Sequence, residues 1–304
     1  MMVRPASFAH NPHTAHTNRF QHQVEHSADL EHQARTEFDA AVRRLTDTGI
    51  RVCVVDDTAA PDKPDALFPN NWISFHRDGT IVLYPMLATN RRCERRPEIP
   101  QMVEQQLGFR RRGMIDLSGY EQEGRFLEGT GSLVLDHVQR VAYASRSART
   151  DESLVRLWSR KMQYEPLLFD AVSDGMPIYH TNVVLSIGTS WAVVCGACIA
   201  DADRERVLTR LRQDRDLIEI PAAVMGQFGA NILELQAGGP GPSGQRVLAL
   251  SERAASAFEQ MSGNGWQRLR DCVDRVLPIA VPVIEEVGGG GIRCMLAEVP
   301  DVAQ

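Results

Sequence analysis

The chain has 304 residues, with 33 Lys plus Arg against 39 Asp plus Glu and a formal net charge of −6 at pH 7. Its basic residues are dispersed apart from the short cluster Arg91, Arg92, Arg95 and Arg96, which disfavours nucleic acid as a partner, because phosphate binding needs a basic face or stripe. No apolar run is long enough to span a bilayer, and Met1-Met2-Val3-Arg4-Pro5 lacks the apolar core of a secretory signal, so neither a membrane span nor export is expected and a cytoplasmic location is.

The first thirty residues, rich in His, Asn and Gln, read as loop or irregular helix. After them β-branched and aromatic runs alternate with amphipathic stretches. Residues 51–55, 72–75 and 80–84 read as strands, the last two joined by the turn His76-Arg77-Asp78-Gly79, and 94–107 as a helix. A second round runs 113–117, 132–135 and 141–144, with Thr150-Asp151 capping a helix to about Met162. A third pairs 178–187 with 191–198 and continues into a charged helix from Asp201. A fourth places strands at 231–235 and 246–250 across a Gly/Pro-rich loop, 238–244, followed by helical material over 251–276. Strands at 279–283 and 294–299 end the chain and return towards Met2. Repetition of strand, strand, helix, strand points to a closed repeated architecture in a single domain, residues 1–304, rather than to two domains.

Four consecutive glycines, Gly288 to Gly291, precede Cys294. They let the backbone approach a ligand and deliver a thiol to the end of an apolar segment. Glu128 heads the Gly-rich turn Phe126-Leu127-Glu128-Gly129-Thr130-Gly131-Ser132. In Ile178-Tyr179-His180-Thr181-Asn182, a strand period of two would put His180 and Asn182 on one face. Asp65 stands shortly before the Pro69-Asn70-Asn71 turn. A thiol, an imidazole and a carboxylate are the components of an activated cysteine: the imidazole moves the proton and the carboxylate orients the imidazole. Cys195-Gly196-Ala197-Cys198 has redox or metal spacing, but it sits among Val193, Val194 and Ile199 with no second pair of ligands nearby. It reads as buried structure.

The stretches MVRPASF, FPNNWISF, NRRCERRPEI, FLEGTGSLVLD, ASRSARTDE, YHTNVVLSIG and GGGGIRCMLAE resemble the guanidino-group-modifying superfamily. This is the pentein fold of arginine deiminases, dimethylarginine dimethylaminohydrolases and amidinotransferases. The resemblance is strongest to the bacterial citrulline-utilisation hydrolase branch. It implies a mixed α/β fold, a five-bladed ββαβ propeller with its site in the central channel. Cys294 would be the nucleophile, His180 the general acid/base and Glu128 its orienting carboxylate. Asp65 would meet the substrate α-amino group, and Arg149, with Arg91 or Arg92, its α-carboxylate.

Arginine deiminases usually grip the guanidinium cation with two carboxylates, whereas Asn71, in the Asn70-Asn71 turn, and Asn182 hold those positions here. Removing the anionic partner of a desolvated cation costs roughly 3–5 kcal/mol, and an amide offers both donor and acceptor to a neutral ureido group. The expected reaction is hydrolysis of citrulline to ornithine, carbon dioxide and ammonia through an S-carbamoyl enzyme, with no metal or organic cofactor. A guanidino substrate and a non-catalytic binding protein are the alternatives, and homo-oligomerisation is left open.

Overall fold

The computed structural model describes residues 1–24, 28–238 and 244–302. Most of the Gly/Pro-rich loop expected at 238–244 lies outside the described residues.

Four sheets share one topology, in which two antiparallel strands are followed by a helical connection and a third strand parallel to the second. The first blade consists of Ile73–Phe75, Thr80–Leu83 and Gly113–Asp116. The second has Val134–Asp136, Val141–Ser145 and Glu165–Phe169, and the third Leu185–Ile187, Trp191–Val194 and Asp216–Glu219. The fourth has Leu233–Ala237, Gln245–Ser251 and Arg275–Ile279. Each parallel pair needs a crossover, and helices such as Ile99–Leu107, Glu152–Met162 and Asp201–Arg212 supply it. Middle strands are covered on both faces along most of their length, and Trp191–Val194 is apolar and buried at every residue.

Both ends of the chain build the fifth blade. Met2–Arg4 pairs in parallel with Val54–Asp56 after the helix Ala28–Asp47. The Met1 nitrogen donates to the Ala297 carbonyl at 2.8 Å, and the Ala297 nitrogen donates back to Met1 at 3.1 Å. This reciprocal exchange is an antiparallel ladder pair, so the segment after Cys294 acts as the blade's first strand. The fold is the expected five-bladed ββαβ propeller, closed by its termini.

Several local expectations are corrected. Loop or irregular helix is expected for the first thirty residues and no element is assigned from there to residue 51, yet a helix spans Ala28–Asp47, with Ala34, Phe38, Ala41 and Leu45 fully buried along one face. Two of these four are alanines, so the stripe is faint in hydropathy. Residues 178–187 are not one strand: a 3₁₀ turn, Thr181–Val183, precedes Leu185–Ile187. Thr181 Oγ1 accepts from Ser145 N at 2.8 Å and donates to Ser132 O at 2.6 Å, tying this turn to the second blade against the β-propensity of Val183 and Val184. The span 94–107 is not one helix: Glu94 closes a 3₁₀ turn, Thr89–Glu94, and the helix is Ile99–Leu107, whose first turn holds a proline. The span 251–276 holds Glu252–Glu259 and Gly265–Asp271, separated at Gly263 with φ +87°, and the strand expected at 279–283 comes earlier, at Arg275–Ile279. Cys294 itself lies in a 3₁₀ turn, Ile292–Met295. No helix among the described residues is long and apolar enough to cross a membrane.

The entries to the first strands are equivalent. Pro69–Asn71, Gly129–Ser132, Thr181–Val183 and Ile292–Met295 are single turns that each lead into the first strand of a blade. In the fourth blade Asn231 occupies the corresponding place before Leu233–Ala237.

Candidate active site

Glu128 and His180 sit at the N-terminal ends of two of these entry turns. The His180 Nε2 lies 2.8 Å from Glu128 Oε2, with both residues almost fully buried. Glu128 Oε1 accepts from the Leu87 backbone at 3.1 Å, and Arg149 Nη1 approaches Oε2 at 3.4 Å. Burial opposes the carboxylate charge, but Arg149 and His180 outweigh it and hold the Glu128 pKa down at about 2. For His180 burial dominates, and despite Glu128 it lowers the imidazole to about 4. At neutral pH the pair is therefore a carboxylate accepting Nε2–H from a neutral imidazole, whose Nδ1 is left with a lone pair.

Cys294 is 5% exposed. Two side-chain amides approach its sulfur: Asn231 Nδ2 at 3.2 Å and Asn182 Nδ2 at 3.6 Å. Burial raises the thiol pKa above its ordinary value, while the Asn231 hydrogen bond leads the opposing influences. The preceding glycines are required by space and conformation. Gly289 has φ +65°, and a Cβ at Gly290 would stand 2.9 Å from the Phe68 ring and 3.2 Å from Cys294 Cβ. Tyr179 links the halves of the site: its hydroxyl donates to Gly289 O at 3.0 Å, and its ring packs on His180 with centroids 4.7 Å apart.

Asn70 and Asn71 are buried in the first blade's entry turn. Arg91 Nη1 donates to Asn71 Oδ1 at 2.8 Å, so the amide must turn its nitrogen the other way. Asn71 Nδ2 donates to Asn70 Oδ1 at 3.1 Å. A Cβ on Gly131 would lie 2.6 Å from Asn71 Nδ2 and 2.7 Å from His180 Nδ1, so the amide and the imidazole edge converge on that glycine. Arg91 is fully engaged: Nε and Nη2 form a bidentate pair with buried Glu94 at 2.8 and 2.9 Å, and Nη2 also reaches the Phe68 carbonyl. Arg92 instead donates to the Met86 and Leu87 carbonyls and is partly exposed.

Asp65 and Arg149 meet the N-terminal segment. Asp65 Oδ2 accepts from Asn11 Nδ2 at 2.7 Å and Thr14 Oγ1 at 3.0 Å. Arg149 donates to Thr14 O at 2.9 Å and Thr17 Oγ1 at 3.0 Å, its guanidinium lying over the Tyr179 ring. The same segment holds the glycine loop through Asn18 Nδ2 to Gly289 O and Gln21 Nε2 to Gly288 O. It thus bridges Asp65, Arg149 and the loop before Cys294.

The structure gathers Cys294, His180, Glu128, Asn182, Asn71, Asn70, Asp65, Arg149 and Arg91 into one connected set of contacts, with Arg92 at its edge. Asn231 and the polar groups of residues 11–21 belong to the same set and carry no distinctive sequence signal, since an asparagine before a strand is ordinary turn chemistry. Buried atoms without a protein partner include Asp65 Oδ1, Asn70 Nδ2, Asn182 Oδ1 and Asn231 Oδ1. Unpaired buried polar atoms are costly, and these four lie in this one set of residues. Cys195 and Cys198 lie elsewhere, buried with their sulfurs 2.9 Å apart.

The five-bladed propeller is the fold of the pentein superfamily of guanidino-group-modifying enzymes. Residues 4–300 match the family model described as N,N dimethylarginine dimethylhydrolase, eukaryotic, and the chain belongs to that family. No curated protein sequence matches it significantly. The fold is similar to that of the substrate-bound N-terminal domain of ArgZ, an arginine dihydrolase of the ornithine–ammonia cycle in Cyanobacteria. The TM-score is 0.70 at 13% identity, covering 99% of this chain and 98% of that one. An AgrE mutant in complex with L-arginine gives a TM-score of 0.73 at 17% identity over the whole of this chain and 40% of the AgrE chain. A dimethylarginine dimethylaminohydrolase adduct with S-methyl-L-thiocitrulline gives 0.63 at 14% identity, covering 97% and 96% of the two chains.

Proposed function

We propose that this chain, acting as a single catalytic domain, hydrolyses the terminal ureido group of a free amino acid, citrulline, to ornithine, carbon dioxide and ammonia. This corresponds to the citrulline-utilisation branch of the superfamily. The observation that carries the choice is the neutral lining of the nucleophile: the side chains on the Cys294 sulfur are the amides of Asn182 and Asn231. Glu128 is committed to His180 and Arg149, so it is not free to balance a substrate cation. A guanidinium would be desolvated there without an anionic partner. A ureido group suits amides, because it presents one C=O and several N–H groups. Asn71, its oxygen held by Arg91, turns a donor towards such a carbonyl.

In the mechanism the Cys294 thiol passes its proton to His180 Nδ1 and the sulfur attacks the ureido carbon. The bond to the side-chain nitrogen breaks as His180 protonates that nitrogen, releasing ornithine. Water, deprotonated by His180, then attacks the S-carbamoyl enzyme and frees the thiolate and carbamate, which decomposes to ammonia and carbon dioxide. Cys294, His180 and water supply every proton and nucleophile. Asp65 would receive the α-amino group and Arg149 the α-carboxylate, a planar fork matched to a planar acceptor. Both would exchange their present partners Asn11, Thr14 and Thr17 for substrate. Arg91 acts through Asn71, which leaves Arg92 as the second candidate for the carboxylate.

A second reading, hydrolysis of a methylated arginine or of arginine itself, is favoured by the family match. A substrate panel separates the two. Citrulline, arginine and methylated arginines are incubated with the protein, and ornithine, citrulline, methylamines and ammonia are quantified. Ornithine with ammonia from citrulline alone is the expected result; citrulline formed from a guanidino substrate overturns it.

A further inference from the structure

The propeller's five entry turns bring Asn71, Glu128, His180 with Asn182, and Cys294 to the site from four blades. The fourth blade's contribution is Asn231. It is 1% exposed, and its Nδ2 lies 3.2 Å from Cys294 Sγ and 3.3 Å from the Asn182 carbonyl. The carbonyl of Asn182 accepts only from the nitrogen side of the amide, which sets its orientation, and the Asn231 backbone nitrogen is anchored to Phe228 O at 2.8 Å. An amide N–H held on a sulfur favours the charged over the neutral form, because hydrogen bonds to ions are stronger than those to neutral acceptors.

We propose that Asn231 is a further catalytic residue, a donor that with Asn182 stabilises the Cys294 thiolate at the moment of attack and again when the S-carbamoyl group leaves. Two neutral donors act on the sulfur in the direction an adjacent imidazolium would, against its burial. The division of labour follows: Asn231 and Asn182 stabilise the anion, and the uncharged His180 remains a base. This role rests on the reading of Cys294 as nucleophile, and the donor is already in place on the sulfur before any substrate binds.

The test is a spectrophotometric titration of thiolate absorbance without substrate, taking the difference between each protein and its Cys294→Ser counterpart to isolate this sulfur. Asn231→Leu preserves bulk and removes the N–H; Asn231→Ser serves where Leu compromises folding. The expected result is a titration midpoint raised by about one unit or more, hence a roughly tenfold smaller thiolate fraction below it. A midpoint unchanged in a folded variant overturns the role. A purely structural contribution would lower the melting temperature and leave the midpoint in place. Because no turnover is measured, a negative substrate panel does not affect this outcome, and an unchanged midpoint in an active enzyme rejects Asn231 alone.

Discussion

His180 Nε2 lies 2.8 Å from Glu128 Oε2, both sealed from solvent. The carboxylate fixes the imidazole tautomer and aims Nδ1 towards the edge shared with Asn71. Glu128→Gln removes the charge while keeping the shape. Since positioned acid–base catalysis is worth about 10²–10⁴-fold, kcat on the substrate identified is expected to fall by that order with KM little changed. Steady-state kinetics check it; a loss confined to KM contradicts the orienting role.

The protonation of His180 gives a pH signature. Burial lowers its folded pKa from 6.5 to about 4. Between those values the unfolded chain binds the proton and the folded one does not, so stability rises with pH across this window and is lost on acidification. Glu128, lowered from 4.5 to about 2, adds a loss of the same sign as pH falls through that lower range. Denaturant unfolding from pH 7 to pH 4 is expected to show wild type losing stability relative to His180→Asn. Nitrogen NMR at neutral pH is expected to show the proton on Nε2. An imidazole that titrates at or above its ordinary value refutes the first expectation, and a proton found on Nδ1 refutes the second.

Arg91 and Glu94 form a buried bidentate pair. Removing one member of such a pair strands the other and costs about 3–5 kcal/mol. Arg91→Ala is expected to lose that much stability in urea unfolding, and Arg91→Met with Glu94→Met to recover most of it. The double variant still frees the Asn71 amide, so activity should remain impaired when stability returns. Recovery of both together would make Arg91 purely structural.

Gly131 is the point at which the Asn71 amide and the His180 ring meet. Its missing Cβ would come within 2.6 and 2.7 Å of them. Gly131→Ala must move one or both groups, and misplacement by about an ångström can cost on the order of 10²-fold. A comparable fall in kcat/KM is expected with a modest change in melting temperature. Full activity would show that the space is not needed.

How much of this was visible in the sequence depends on the type of signal. Strand pairs such as Ile73–Phe75 with Thr80–Leu83 announce themselves through β-branched runs around a turn, and Asp151 marks its helix by capping Leu154 N. Cys294, His180 and Glu128 could be named from resemblance, but their meeting depends on entry turns from different blades that local periodicity cannot register. His180 and Asn182 reach the site through a 3₁₀ turn rather than through strand alternation. The role of Arg91 was hidden because a buried ion pair and a solvated charge cluster have the same composition. Asn231 was hidden because only the repeat, seen in three dimensions, gives that asparagine a sulfur for a neighbour.

The most direct measurement follows citrulline labelled at its ureido carbon, with wild type and Cys294→Ala side by side. Wild type is expected to release the label as carbon dioxide with matching ornithine and ammonia, and Cys294→Ala to leave citrulline intact. Turnover by Cys294→Ala, or untouched citrulline in a wild-type sample that consumes a methylated arginine, would contradict the proposed chemistry.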